Sequence, residues 1–123
     1  GIRGHHQNFA QAIDGWTYLD MYSDSNSTLS NLCQRLNSPS TKQLAAAKGY
    51  DLGRLTAEGL ARSDALTREG VKRGLELIKW LPAAEGQEGT LLGFGNYDRG
   101  ALHGQYLIVR EWVSGQSVEW TQS

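Results

Sequence analysis

The feature that most constrains this fold is a long stretch of helical periodicity that a proline brings to an end. Apolar residues recur at helical spacing through residues 55–81, and Pro82 follows directly. Because proline has no backbone N–H and restricts the residue before it, we expect the helical part of the chain to stop there. Within the stretch, residues 64–67 (Asp-Ala-Leu-Thr) favour a turn and a fresh N-cap. The stretch therefore predicts two helices joined by a tight turn.

Shorter elements are predicted upstream of this pair. Four residues have the spacing of one buried helical face and predict a short helix: Leu29, Leu32, Cys33 and Leu36. The Ala-rich residues 42–48 predict another helix, which Gly49 would end as a left-handed C-terminal residue. Nearer the N-terminus, residues 8–14 predict a short helix, and the aromatic residues 16–22 predict a strand.

Strand-like composition follows the proline. Residues 90–94, 105–113 and 117–121 are rich in β-branched, aromatic and other large apolar side chains. Gly115 and Gln116 suit a tight hairpin between the last two segments. The sequence thus predicts an α+β domain that is mostly helical over its first two-thirds and ends in a three-stranded antiparallel β-meander.

Composition limits the classes of function. The 123 residues suffice for one domain, and the formal net charge of -1 argues against a surface that binds phosphate throughout. Cys33 is the single cysteine, which excludes an internal disulfide and a cysteine-based metal site. We expect no metal, no cofactor and no membrane partner. The first residues lead into no apolar segment and do not have the pattern of an intact signal peptide. We expect a cytoplasmic location.

The helix pair carries a resemblance to a known family. Its first helix is packed through Leu60 and Ala61, its second opens at Leu66 and Thr67, and three residues of the second face inward: Val71, Leu75 and Ile78. Residues 56–77 thereby resemble the helix-turn-helix of winged-helix DNA-binding domains. The resemblance implies a winged-helix-like core over residues 41–123, with a β-hairpin wing near Arg99, and an N-terminal extension or dimerisation segment over residues 1–40.

The basic residues of this region suit a DNA interface. Arg68, Lys72 and Lys79 share a sector of the second predicted helix, away from its apolar face. Arginine can bind guanine with two hydrogen bonds, so Arg68 and Arg73 would specify bases and the lysines would position phosphates. Arg99 would contact the backbone or minor groove from the wing. We expect a non-enzymatic regulator that binds duplex DNA as a homodimer.

A second interpretation is a protein-interaction module that does not bind nucleic acid. Glu69 with Arg73, and Lys72 with Glu76, are spaced four residues apart on the predicted helix. Such pairs can neutralise each other on a solvated surface. The helix-turn-helix would then serve packing or protein contacts.

A third interpretation is a metal-independent nuclease or toxin domain. His5 or His6 would act as general base and His103 as general acid on a phosphodiester. The order of helices followed by an antiparallel sheet also resembles that of small bacterial toxin nucleases. This interpretation requires the terminal histidines to lie near His103.

Overall fold

A computed structural model describes residues 9–37 and 43–122 of the chain. The described part is α+β, as predicted, and contains three helices. They are α1 (Ser27–Leu36), α2 (Gln43–Ala61) and α3 (Arg68–Glu76). One strand, β1 (Thr17–Asp20), precedes them. Five strands follow: β2 (Leu81–Pro82), β3 (Leu91–Leu92), β4 (Leu102–His103), β5 (Ile108–Val113) and β6 (Gln116–Glu119).

These strands form two antiparallel sheets rather than one meander. The first has the order β1-β5-β6 and the second the order β2-β3-β4. The prediction of a single meander is wrong because β3 pairs with β2 and β4, whereas β5 pairs with β1 from the N-terminal third, with Leu19 opposite Val109. The expected hairpin between β5 and β6 does form, but its turn is Ser114–Gly115 rather than Gly115–Gln116, because Gln116 already pairs with Val113. The φ angles of Ser114 and Gly115, 50° and 79°, suit a two-residue turn.

Helix α1 has an asparagine cap at each end, and the prediction of a helix here is confirmed. The Asn26 side chain accepts a hydrogen bond from the Leu29 backbone N–H at 3.1 Å. At the other end Asn37 adopts a left-handed conformation with φ 48°, and its N–H donates to the Cys33 and Gln34 carbonyls. The caps fix the length of α1 and leave Leu29 buried against the rest of the protein.

Helix α2 continues through the glycine that was expected to end it. The buried residues of α2 recur every four positions along one face: Ala47, Asp51, Leu55 and Gly59. Gly49 and Gly53 face open space, since a Cβ added at either residue would meet no atom within 4 Å. The prediction of a stop at Gly49 is wrong because burial of one face outweighs the modest helix penalty of an exposed glycine, about 1 kcal/mol.

Helices α2 and α3 approach closely because glycines line their contact. Gly59 and Gly74 are both buried, and a Cβ on Gly74 would overlap the Gly59 carbonyl oxygen. The turn between the helices ends at Thr67, whose side chain accepts from the Gly70 N–H at 3.1 Å. The predicted N-cap and the predicted helix pair are therefore confirmed.

Helix α3 ends at Glu76, well before the proline that was expected to stop it. The Leu77 N–H still donates to the Arg73 and Gly74 carbonyls, and the chain then leaves the helix. Trp80 has a φ of 59°, a left-handed conformation that is uncommon outside glycine. Pro82 is the second residue of β2 and lies opposite Leu91, so the proline is part of the second sheet and does not end a helix.

Two clusters of buried apolar residues in the described part of the chain meet at the segment that follows β2. One contains Tyr22, Leu29, Ala47 and Ala84. The other contains Leu55, Ile78, Ala83 and Leu92. Because Ala83 and Ala84 are neighbours, the short segment after β2 joins the two clusters and holds the helices against the second sheet.

Replacing Gly74 with alanine should destabilise the protein by about 2 kcal/mol or more, because the new methyl group would meet the α2 backbone. Gly53→Ala is the matched control on the solvent side of α2, and it should stabilise by roughly 0.5–1 kcal/mol. Urea denaturation followed by circular dichroism measures both. Equal effects of the two substitutions would contradict the close packing of α2 and α3.

Candidate functional site

A polar cleft of about 370 Å³ lies between α1 and the loop that leads into it from β1. Its lining is dominated by hydroxyl, carboxamide and carboxylate side chains: Ser23, Asp24, Asn26, Leu29, Ser30, Cys33, Gln34, Asn37 and Gln43. The volume is within the range of small-molecule sites, about 300–1,000 Å³. The cleft is therefore the candidate functional site in the described part of the chain.

The acidic group of the cleft is held by a buried arginine. Arg110 on β5 is only 1% exposed, and its guanidinium donates to Asp24 Oδ2 at 3.1 Å. The same group donates to Ser117 Oγ at 2.8 Å and to the Ser117 carbonyl at 3.1 Å. Asp24 Oδ1 accepts no hydrogen bond from any described residue, and the Asp24 side chain is 54% exposed. One carboxylate oxygen is thus fixed and the other can receive a ligand.

Two tyrosines complete the surroundings of Arg110. Its guanidinium carbon lies 4.0 Å from the centre of the Tyr22 ring, a cation–π contact. The Tyr22 carbonyl accepts from the guanidinium at 3.4 Å, and Tyr18 Oη lies 2.5 Å from Ser117 Oγ. These contacts offset the cost of removing the charge from water.

Glu119 fixes the turn that carries Asp24. One oxygen of Glu119 accepts from Ser23 Oγ at 2.8 Å and from the Asp24 N–H at 3.2 Å. Its other oxygen lies 3.4 Å from Gln87 Nε2. Glu119 at the end of β6 therefore positions the backbone at Asp24, whereas Arg110 on β5 positions the Asp24 carboxylate.

The rear wall of the cleft is tied to the segment after β2. Asn26 is 2% exposed, and its amide nitrogen donates to the Ala83 carbonyl at 3.0 Å and the Gly86 carbonyl at 3.1 Å. The asparagine that caps α1 therefore also satisfies carbonyls of an irregular segment. Ser30 and Gln34, one turn apart on α1, are exposed and offer further hydrogen-bonding groups at the opening.

Two buried carboxyl groups accompany this segment, one on α2 and one within the segment itself. Asp51 on α2 accepts from the Ala84 N–H at 2.8 Å and the Glu85 N–H at 2.9 Å. Burial nevertheless raises the pKa of Asp51 above its usual range. Burial also raises the pKa of Glu85, the Asp51 charge raises it further, and Lys48 opposes both effects. Glu85 Oε2 is buried and has no hydrogen-bond partner among the described residues.

The basic residues expected to contact DNA are for the most part engaged within the protein. Arg73 donates to both oxygens of Asp64 at 2.9 Å, and this raises its already high pKa. Arg99 Nη1 lies 2.6 Å from Glu76 Oε1. Lys72 Nζ lies 3.6 Å from Glu76 Oε1, so the ion pair expected from their four-residue spacing forms as well.

The remaining predicted site residues are scattered. Lys79 Nζ donates to the Phe94 carbonyl at 2.6 Å, and Arg68 is exposed at the first position of α3. His103 Nε2 lies 3.0 Å from the Gly93 carbonyl oxygen. His5 and His6 lie outside the described residues, so their pairing with His103 stays a prediction. Within the described ranges, no group of three His, Cys, Asp or Glu side chains is arranged to hold a metal ion.

Two solved structures share the fold, whereas no family model and no curated protein matches the sequence. The Rp1789 protein of Rhodopseudomonas palustris strain CGA009 matches with a TM-score of 0.68 and 18% identity, over 97% of this chain and 38% of its own. A protein described as an extracellular ligand-binding receptor from Rhodopseudomonas palustris matches with a TM-score of 0.62 and 18% identity, over 90% of this chain and 35% of its own. The chain thus spans less than two-fifths of either protein's length.

The prediction of duplex DNA binding is wrong. The fold is similar to that of a protein described as an extracellular ligand-binding receptor, and most of the expected DNA contacts are occupied by acidic side chains or backbone carbonyls. The predictions of a regulatory role and of a homodimer on DNA are therefore wrong as well. In the described part of the chain no helix is both long and apolar enough to cross a membrane. The cytoplasmic location stays a prediction.

Sequence reasoning missed Arg110 and the role of Asp24. The two-residue repeat of a strand could have identified the arginine, because Ile108, Arg110 and Trp112 occupy every second position of β5 and share its buried face. No pattern in the sequence indicates that Asp24 is its partner, since the two residues are far apart in the chain.

Glu85→Gln should make the protein more stable at pH 7, by an amount of the order of 1 kcal/mol. Because the pKa of Glu85 is raised in the folded state, the wild type loses stability as the pH rises from the ordinary glutamate pKa through the raised one. Glutamine does not ionise, so the variant keeps this stability at pH 7. The difference between variant and wild type should therefore disappear below the ordinary pKa of glutamate. Urea denaturation over a pH series measures it.

Glu88→Gln is a control of opposite sign. The Ser27 N–H and hydroxyl lower the pKa of Glu88, so this variant should lose stability at neutral pH and match the wild type in acid. A Glu85→Gln variant that is less stable than wild type at pH 7 would contradict the burial of an unpartnered carboxylate.

Proposed function

We propose that this chain binds a small polar molecule in the cleft beside α1, as part of a receptor-like ligand-binding protein. The observation that carries the proposal is the Asp24 carboxylate, which buried Arg110 holds by one oxygen while the other has no partner among the described residues. A carboxylate fixed in this way is a preorganised acceptor, because binding does not have to order it. The structural likeness to a protein described as an extracellular ligand-binding receptor supports the same function.

The charges of the cleft select the ligand. Arg110 is enclosed and its hydrogen bonds are used within the protein, so it offers no group to a ligand. Asp24 is the charged side chain among the described cleft residues, and the others are neutral hydroxyl, carboxamide, thiol or apolar groups. The cleft therefore favours a cationic group, such as a primary ammonium, over an anion.

The neutral residues determine what else the ligand carries. Ser30 and Gln34 on α1 are exposed at the opening of the cleft and can both donate and accept hydrogen bonds. A ligand with only an ammonium group would leave these groups to water. We therefore infer an ammonium compound that bears further polar groups, of amino-acid or polyamine size.

Asp24→Asn should weaken binding of such a compound by at least about tenfold, because hydrogen bonds to charged groups contribute roughly 1.5–3 kcal/mol. Binding is measured by titrating ¹⁵N-labelled protein with L-lysine, putrescine and acetate, since amide shifts detect dissociation constants of about 1 mM. We expect shifts at residues 23–26 and 30–34 with the two amines and none with acetate. Asp98→Asn, a change to an exposed carboxylate on the loop after β3, is the matched control and should bind like the wild type.

Two results would contradict the proposal. One is the absence of cleft shifts with both amines at concentrations of about 10 mM, where a millimolar site would be mostly occupied. The other is amine binding that Asp24→Asn leaves unchanged, which would place the site elsewhere.

A further inference from the structure

The β1-β5-β6 sheet has an apolar face that nothing in the described part of the chain covers. Burial alternates along β5, so that Ile108, Arg110 and Trp112 are enclosed while the residues between them are not. We call the opposite side the outer face. Its exposed apolar residues come from all three strands or their direct continuation: Leu19, Val109, Val113, Val118 and Trp120.

Strand register makes these residues one patch. Leu19 lies opposite Val109, and the Trp120 N–H donates to the Val109 carbonyl at 2.9 Å, so the three form a row across the sheet. Leu19 is 63% exposed and Trp120 is 44% exposed. Val118 stands in the next row. A row of exposed apolar side chains on three neighbouring strands is typical of an interaction surface.

A single carboxylate stands in the middle of this patch. Glu111 lies between Val109 and Val113 along β5, and between Thr17 and Val118 across the strands. Its side chain has no hydrogen bond or ion pair with the described residues. Covering the outer face would remove Glu111 from water, which is costly unless the covering surface supplies a cation.

The charge argues against a second copy of the chain as the covering element. Two copies packed face to face would bring two Glu111 carboxylates into one apolar interface. Like charges in such a position cost several kcal/mol in association free energy. A lysine or arginine on the partner would instead pair with the carboxylate.

The dimensions of the face fit one helix. The six residues of β5 extend over about 20 Å, and the outer strands of a three-stranded sheet are about 10 Å apart. An α-helix is about 10 Å wide and needs about 14 residues to extend over 20 Å. We propose that the outer face docks one amphipathic helix of a partner polypeptide, whose apolar stripe carries a single basic residue opposite Glu111. This inference does not depend on ligand binding at Asp24.

The test uses two synthetic helices of about 14 residues with leucines at helical spacing and one central stripe position that is lysine or glutamate. Fluorescence anisotropy of the labelled peptides gives their affinities, and amide shifts of the protein locate the contact. Wild-type protein should bind the lysine peptide at least about tenfold more tightly than the glutamate peptide. Glu111→Lys should reverse this preference, and Val118→Asp should abolish binding of both. Glu69→Lys on α3 is the matched charge control and should leave the preference unchanged.

Three outcomes would overturn the inference. The first is equal affinity for the two peptides, and the second is a set of shifts outside the β1, β5 and β6 strands. The third is a dimer in sedimentation equilibrium that Val118→Asp dissociates, because this would identify a second copy as the occupant. Amine binding at the cleft can succeed or fail without affecting any of these results.

Discussion

The buried guanidinium of Arg110 is the interaction on which the arrangement around the cleft depends. A charge that is 1% exposed would destabilise the protein unless its donors were satisfied. Here they bind a side chain and a carbonyl of Ser117, the Asp24 carboxylate and the Tyr22 carbonyl. Because these partners belong to β6 and to the loop between β1 and α1, one side chain links the first sheet to the wall of the cleft. The position of Asp24, the charged side chain among the described residues of the cleft, thus follows from the cost of burying one charge.

Local signals in the sequence predicted several elements correctly. The threonine cap of α3, the aromatic strand near the N-terminus and the hairpin at Gly115 each depend on residues that are adjacent in the chain. Strand pairing was not predictable in this way, because β5 pairs with β1, which is far away in the sequence. The composition of each segment predicts a strand but does not indicate its partner. Gly49 misled for a related reason. Whether a glycine ends a helix depends on how much of the neighbouring face is buried, and that is set by tertiary contacts.

The functional site was harder to predict than the fold. A basic sector on a helix looks the same in the sequence whether its charges face DNA or pair with acids brought close by folding. Arg73 pairs with Asp64 across the turn, and Arg99 reaches Glu76 from a distant loop. The spacing typical of a helix-turn-helix also arises wherever two short helices pack through a tight turn, so it identified the helix pair but not its role. No pattern around Asp24 marks it as a site residue, because its partner Arg110 lies on β5.

The most direct test of this account is the hydrogen exchange of the Arg110 Nε–H, followed by ¹⁵N NMR. This group donates to Ser117 Oγ at 2.8 Å inside the protein. We expect its exchange to be slowed to the level of the backbone amides of β5, which exchange only when the sheet opens. Exchange as fast as that of an exposed arginine such as Arg68 would contradict the account, because the guanidinium would then be open to solvent and could not fix Asp24 in the cleft.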